Sequence, residues 1–237
     1  MKQGEFRNWI LFENNDFIVI NKPPYISTLS DRNDKVNIIS LAKEYWPDAQ
    51  VCHRLDKETS GALAIAKNPE AYRHLSMQFE NREVVKVYHA VVAGLHQFEE
   101  ELVDRPILPL GHGVVKLDKA KGKPAETIFN TLTTFRKHTL VECLPVTGRM
   151  HQIRIHLTSL GTPIICDEQY GGEPLYISSL KKKFNLKKDT EELPLIKRVA
   201  LHAYELHFYG LGNEKISTIA PYPKDFDVLI KQLEKNA

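Results

Sequence analysis

The run Ala62-Leu63-Ala64-Ile65-Ala66 constrains this chain most. It is short and wholly apolar, it opens at Gly61, and Asn68-Pro69 follows almost at once, so it reads as a buried strand. Asn68 supplies a helix N-cap and Pro69 suits the first helical position, which opens a helix through about Asn81. Ile10-Leu11-Phe12 and Phe17-Ile18-Val19-Ile20 read as short strands joined by Asn14-Asn15-Asp16, and Lys22-Pro23-Pro24 stops the second. Asn37 to Trp46 has helical spacing in Ile38, Leu41 and Tyr45, and Pro47 ends it. Further strands are expected at Tyr88–Ala93, Leu140–Val146 and Leu201–Tyr209. Helices are expected at Gly148–Leu160, with Gly161 as its C-terminal cap, and at Pro223–Lys235. Strands that come singly or in hairpins, with three or four helices between them, predict an α+β fold: a mixed, largely antiparallel sheet with packed helices. The regular βαβ alternation of a Rossmann or barrel fold is missing.

Charge limits the function classes. The 237 residues carry 32 Lys and Arg against 30 acids, a formal net charge of +2, which excludes a binder relying on whole-chain positive charge but allows a local basic groove. No apolar run approaches the roughly 18 residues of a membrane span. The opening Met1-Lys2-Gln3-Gly4-Glu5 lacks the apolar centre of a secretory signal, so a cytoplasmic location is expected. The three cysteines, Cys52, Cys143 and Cys166, are odd in number and widely spaced, forming neither a disulfide framework nor a zinc knuckle.

The densest polar stretch is His53-Arg54-Leu55-Asp56-Lys57-Glu58-Thr59-Ser60-Gly61, directly before the buried strand. A loop feeding a rigid strand can hold a reactive carboxylate in place. A polar turn with its charges in water is the plainer reading of the same composition. A second stretch runs Thr147-Gly148-Arg149-Met150-His151-Gln152-Ile153-Arg154-Ile155-His156-Leu157, with Ile153, Leu157 and Leu160 forming one buried stripe. On a regular helix, Arg149 and Arg154 would point roughly 140° apart and could not serve one site from the same face. Flanked by Ile153 and Ile155, Arg154 calls for an acidic partner unless its head reaches water. In the third stretch, Lys86 to Gly94, Tyr88 sits on a strand, ordinarily a half-buried position.

Metal and nucleotide cofactors find no support. His151 and His156 are five apart with no acid between them, and His202 and His207 would face opposite sides of a strand. There is no phosphate-binding glycine loop, since Gly111-His112-Gly113 does not complete one. Cys52, next to His53, reads as a small hydrophobe. The lysine-rich stretch Leu180–Arg198 reads as a solvated surface excursion.

Taken together, these stretches resemble the RluA-type family of RNA pseudouridine synthases, which modify rRNA and tRNA. The resemblance begins at Asp16-Phe17-Ile18-Val19-Ile20-Asn21-Lys22-Pro23-Pro24. It runs through His53-Arg54-Leu55-Asp56 with Thr59-Ser60-Gly61, then Lys86, Tyr88, Ala90, Val92 and Gly94. It continues with Thr147-Gly148-Arg149, His151-Gln152-Ile153-Arg154, His156-Leu157, Leu160-Gly161, Pro163-Ile164 and Asp167, and ends at Ala200-Leu201-His202-Ala203.

The resemblance implies one catalytic domain over residues 1–237 without a separate N-terminal RNA-binding domain. It also implies isomerisation of uridine in rRNA or tRNA without metal or organic cofactor, by a monomer. Asp56 matches the catalytic aspartate, whether as nucleophile on ribose or base or as a proton acceptor; each role needs an ionised carboxylate, which an arginine in contact would favour. Arg154 matches the position expected to supply that contact, with Arg149 the alternative. Tyr88 matches a tyrosine that stacks on the base and is placed to move its C5 proton. Arg54 matches a residue that fills the space of a flipped uridine or holds its phosphate. His53, Thr59, Arg149 and Leu201 are the remaining substrate-binding candidates. The lysines Lys181, Lys182, Lys183, Lys187 and Lys188 are expected to add phosphate contacts. A hydrolase with an aspartyl nucleophile, such as a phosphatase, would want a metal-binding acid cluster around Asp56, and a non-catalytic RNA-binding module would tolerate loss of Asp56.

Overall fold

Strand pairing and helix caps follow the local chemistry of the sequence closely. A computed structural model describes residues 6–30, 36–111, 113–181, 184–185 and 190–237. Among these, in chain order, lie β1 (Ile10–Glu13), β2 (Phe17–Lys22), α1 (Ile38–Tyr45), β3 (Gln50–Val51), β4 (Ser60–Ala66), α2 (Pro69–Glu80) and β5 (Val85–Ala93). There follow β6 (Glu101–Asp104), β7 (Ile107–Gly111), β8 (Val114–Leu117), β9 (Glu126–Thr134), β10 (His138–Pro145), α3 (Gln152–Ser159), α4 (Ile177–Leu180), β11 (Leu201–Tyr209), β12 (Lys215–Ile219) and α5 (Lys224–Lys235). The fold is α+β with a mixed, largely antiparallel sheet. The ladders β1–β2, β2–β4, β3–β4, β6–β9, β7–β8, β9–β10 and β11–β12 are antiparallel, and β4–β11 is parallel. No helix among the described residues is long and apolar enough to cross a membrane.

Two compact units divide the chain: Met1–Tyr88 with His202–Pro221, and His89–Leu201 with Tyr222–Ala237. In the first, β2 and β4 are buried on both faces. Ile18, Ile20, Leu63 and Ile65 join Ile38, Leu41 and Ala42 of α1 in one cluster. Phe17, Val19, Ala62, Ala64 and Ala66 join Ala71 and Leu75 of α2 in another. The two-residue period sends alternate side chains to opposite faces, and burial of both explains why the run is apolar without alternation. Asn37 caps α1 by accepting from the Ser40 N–H at 2.9 Å, with Ser40 reciprocating, and Asn68 caps α2 by accepting from the Ala71 N–H at 2.8 Å.

In the second unit, β6, β9 and β10 lie side by side, and the β7–β8 hairpin packs Ile107 and Val115 with Ala125 and Ile155. Alternation between 95 and 134 is weak, with Leu102, Leu110 and Leu132 exposed, so the strands there are not legible in sequence. Helix α3 begins at Gln152, four residues later than the expected start at Gly148, because His151 takes a left-handed conformation with φ 53°. Gly161, with φ +77°, ends it as expected.

The reading of Leu180–Arg198 as a solvated excursion fails at its end. Ile196 is buried, and Arg198 is fully buried with its Nε and Nη2 on Asp225 at 2.7 and 3.1 Å. Lys182, Lys183, Lys187 and Lys188 lie outside the described residues.

Candidate active site

Asp56 sits in the loop between β3 and β4, and the backbone of that loop is held by side chains and backbone groups from upstream. Thr28 grips Leu55 from both sides: its hydroxyl donates to the Leu55 carbonyl at 2.8 Å and accepts the Leu55 N–H at 3.1 Å. The fully buried Lys22 ammonium donates to the carbonyls of Pro23, Ile26 and Lys57 at 3.0, 2.9 and 3.2 Å. The Tyr25 N–H also reaches the Lys57 carbonyl, and the Thr59 N–H closes a turn onto the Asp56 carbonyl at 3.1 Å. Leu55 is buried between exposed Arg54 and half-buried Asp56. The two flanking residues therefore share the outward side, as extended backbone requires. Tyr88 on β5 is half-buried and packs against the cluster that contains Leu55.

His53 anchors the start of the loop. Its Nε2 accepts the Ala64 N–H at 3.0 Å and its ring stacks on Phe79 at 4.6 Å. Burial, with the Lys86 ammonium nearby, pushes its pKa down to about 3, so the ring is a neutral acceptor. Lys86 is itself lowered to about 8 by burial and by Arg82. Burial also raises the Cys52 thiol to about 11, far from a thiolate nucleophile.

The end of the loop is fixed by β11. Thr59 and Ser60 are buried. The Ser60 hydroxyl bonds His202 Nδ1 at 2.9 Å, while His202 Nε2 faces the Ala220 carbonyl at 3.0 Å; the ring is therefore protonated on Nε2 and accepts on Nδ1. Ser60 pairs with His202 and Gly61 with Ala203 in the parallel ladder. Gly61 has φ +118°, and a Cβ there would lie 2.1 Å from the Ala203 carbonyl oxygen, so no other residue fits. The motifs Thr59-Ser60-Gly61 and His202-Ala203 are two sides of one close approach.

In the second unit, the segment 147–170 is held by its own side chains. The Gln152 amide is fully used: its oxygen accepts from Thr147 Oγ1 at 2.7 Å and the Arg149 N–H at 2.9 Å, and its nitrogen donates to the Glu126 carbonyl and Thr127 Oγ1. Thr127 and the Arg105 carbonyl then satisfy both nitrogens of buried His156. Arg154 is buried and bidentate on Asp167, Nε to Oδ2 at 2.7 Å and Nη2 to Oδ1 at 2.6 Å, with Tyr170 under the guanidinium. Asp167 is the acid that two flanking isoleucines require. Arg149 is exposed on the loop before α3, where its Nε donates to the Pro124 carbonyl at 3.0 Å. The expectation that helical geometry sets the angle between Arg149 and Arg154 is therefore corrected, because only Arg154 is on the helix. Leu201 is buried, its carbonyl accepting from Arg198 Nη1 at 3.1 Å. Among the described residues, no three His, Cys, Asp or Glu side chains gather as a metal-binding group.

The model of a family described as RNA pseudouridylate synthase matches residues 16–159. The chain is 34% identical over 236 residues to the ribosomal large subunit pseudouridine synthase C of Buchnera aphidicola, covering 96% of this chain and 71% of that protein. The chain belongs to the RNA pseudouridylate synthase family. A dual-specificity RNA pseudouridine synthase RluA of Vibrio parahaemolyticus is 35% identical, covering 92% of this chain and 83% of that protein. Among solved structures, human RNA pseudouridylate synthase domain containing 4 aligns with TM-score 0.75 at 25% identity, over 98% of this chain and 95% of that one.

In this pseudouridine synthase the matched segment contains Asp56, Tyr88, Arg149 and Arg154 but stops short of Leu201. Of the residues that position the loop, Lys22, His53, Ser60, Gly61 and His202 stand in the resembling stretches without their loop-holding contacts being legible there, and Thr28 carries no local signal because its partner Leu55 is 27 positions away. Gln152 and Asp167 stand within the resembling motifs, but the side-chain bonds they make are visible only in the fold.

Proposed function

We propose that this pseudouridine synthase isomerises uridines in ribosomal RNA, with tRNA as the second substrate class. In the reaction the N1–C1′ bond of uridine breaks, a C5–C1′ bond forms, the C5 proton leaves and N1 gains one. No redox change occurs, so we infer that metal and organic cofactor are dispensable. The observation that carries the reading is the loop 53–61, which matches the family motif and has its backbone clamped by Lys22, Thr28 and the β4–β11 approach. A carboxylate on so constrained a loop is preorganised for one geometry. The names of the similar proteins point to large-subunit rRNA first, one relative is named as dual-specific, and tRNA enters as the second class from the family resemblance.

In this reading Asp56 is the catalytic carboxylate and Tyr88 stacks on the flipped base and serves its C5 proton. Arg154 is the fixed cation of the site, held by Asp167. Arg54, exposed beside Asp56, fills the gap left by the uridine or holds its phosphate. Thr59, Arg149 and Leu201 complete the substrate contacts, while His53 acts through the loop it anchors. The proposal includes a single catalytic body working as a monomer in the cytoplasm.

The test uses an unmodified large-subunit rRNA transcript carrying uridine tritiated at C5. Release of tritium with matching pseudouridine in the digested product supports the reading. No release from rRNA and tRNA transcripts alike would overturn it.

A further inference from the structure

We propose that Tyr25, one position past the motif that ends at Pro24, stacks its ring on the nucleobase flanking the flipped uridine. The inference rests on the reading above that Asp56 acts on a uridine taken out of an RNA stack. Tyr25 lies at φ 68°, in the left-handed region. It is the one large hydrophobic residue there among the described residues, and a bulky side chain is disfavoured at such a φ. Its side chain is nonetheless 50% exposed, so packing in the core does not account for its presence. Strain retained at an exposed aromatic residue points to a use outside the fold.

The backbone around Tyr25 is pinned from three sides. Its N–H donates to the Lys57 carbonyl at 2.8 Å, and the Lys22 ammonium holds the carbonyls of Pro23 and Ile26, which bracket it. The first N–H groups of α1, those of Ile38 and Ile39, donate to the Ser27 and Thr28 carbonyls at 2.9 and 3.1 Å. Thr28 in turn grips Leu55. Segment 25–28 therefore runs beside 55–57, and Tyr25 is fixed one hydrogen bond from the residue that follows Asp56. A uridine that leaves the stack exposes the π-face of its neighbour. Arg54 answers for the gap or the phosphate, and a ring held beside the same loop answers for the neighbour. Stacking on an aromatic ring accepts any base and involves no charge.

Filter binding of a large-subunit rRNA transcript across a salt series, with tritium release and urea unfolding, tests Tyr25→Gly, Tyr25→Leu and Tyr25→Phe. Tyr72→Leu, at an exposed tyrosine on α2, is the control. Tyr25→Gly suits the left-handed backbone and should unfold at no lower urea than wild type. It should bind RNA about tenfold more weakly at every salt, with the slope of log affinity against log salt unchanged, and raise KM more than it lowers kcat. Tyr25→Leu keeps bulk without an aromatic face and should weaken binding as much. Tyr25→Phe should recover wild-type affinity, and the control should not weaken binding. Once the modified uridine is mapped, an abasic residue at one of its two neighbours should weaken binding by wild type but not by Tyr25→Gly. Wild-type affinity in Tyr25→Gly, a Tyr25→Phe as weak as Tyr25→Gly, or an equal loss in the control would each overturn the proposal. So would a loss that only follows a fall in urea midpoint, or abasic losses equal in wild type and Tyr25→Gly. No tritium release from wild type sinks the functional reading by itself, whereas release with wild-type affinity in Tyr25→Gly sinks this proposal alone.

Discussion

Two motif-bearing regions solve the same problem in opposite ways. In the loop 53–61, groups far along the chain hold the backbone: Lys22 on Lys57, Thr28 on Leu55, and Ala203 against Gly61. In the segment 147–170, side chains hold one another, through the Gln152–Thr147–Thr127–His156 network and the Arg154–Asp167 pair. A loop positioned by its backbone leaves the side chains on its outward face for chemistry. A network positioned by its side chains converts polar groups into a rigid interior, where each partner is costly to lose. Damage to the first should therefore show in turnover, and damage to the second in stability.

The largest stability effect should come from the ion pair. Asp167→Asn leaves the Arg154 charge buried without its carboxylate, and urea unfolding should report a loss of about 3–5 kcal/mol. A loss below about 1 kcal/mol would mean that water reaches the guanidinium and that this segment is not self-contained.

Thr28→Val is the complementary break. It keeps the shape but strands both buried backbone groups of Leu55, at a cost of about 1–3 kcal/mol. Because Leu55 adjoins Asp56, turnover of the folded variant should drop roughly tenfold or more. Wild-type kcat in a destabilised Thr28→Val would show that the clamp serves the fold alone.

Close to neutrality the smallest effect is a pH dependence. His53 titrates near 3 in the fold against 6.5 ordinarily, so below pH 6.5 the unfolded chain binds a proton that the folded chain refuses. Stability is therefore lost as pH falls from 6.5 towards 3, at no more than about 1.4 kcal/mol per pH unit from this group. His138 and His156, both lowered chiefly by burial, act in the same direction. His53→Gln keeps an acceptor but removes the titration, so the fall in urea midpoint between pH 6.5 and 5 should be shallower than in wild type. Parallel slopes would place the ring in water.

Local chemistry made much of this fold legible. The cap Asn68, the helix start at Asn37, the turn at Asn14 and the apolar β2 and β4 need only neighbours to be read. The hairpin β7–β8 and strand β6 escaped because their side chains are mostly exposed and carry little alternation. At the site, the need of Arg154 for an acid follows from its flanking isoleucines, and the identity of that acid, thirteen residues away, follows only from the fold. The late start of α3 was hidden because nothing in the apolar stripe marks the left-handed turn at His151. Arg198 was hidden in the same way, since a lysine-rich stretch gives no sign that its final cation is buried on Asp225.

The most direct test of the account compares wild type with Asp56→Asn on rRNA carrying 5-tritiated uridine, alongside urea unfolding and filter binding of both proteins. The account predicts tritium release and pseudouridine from wild type and none from Asp56→Asn, with stability and RNA affinity close to wild type. Wild-type turnover in Asp56→Asn would contradict it.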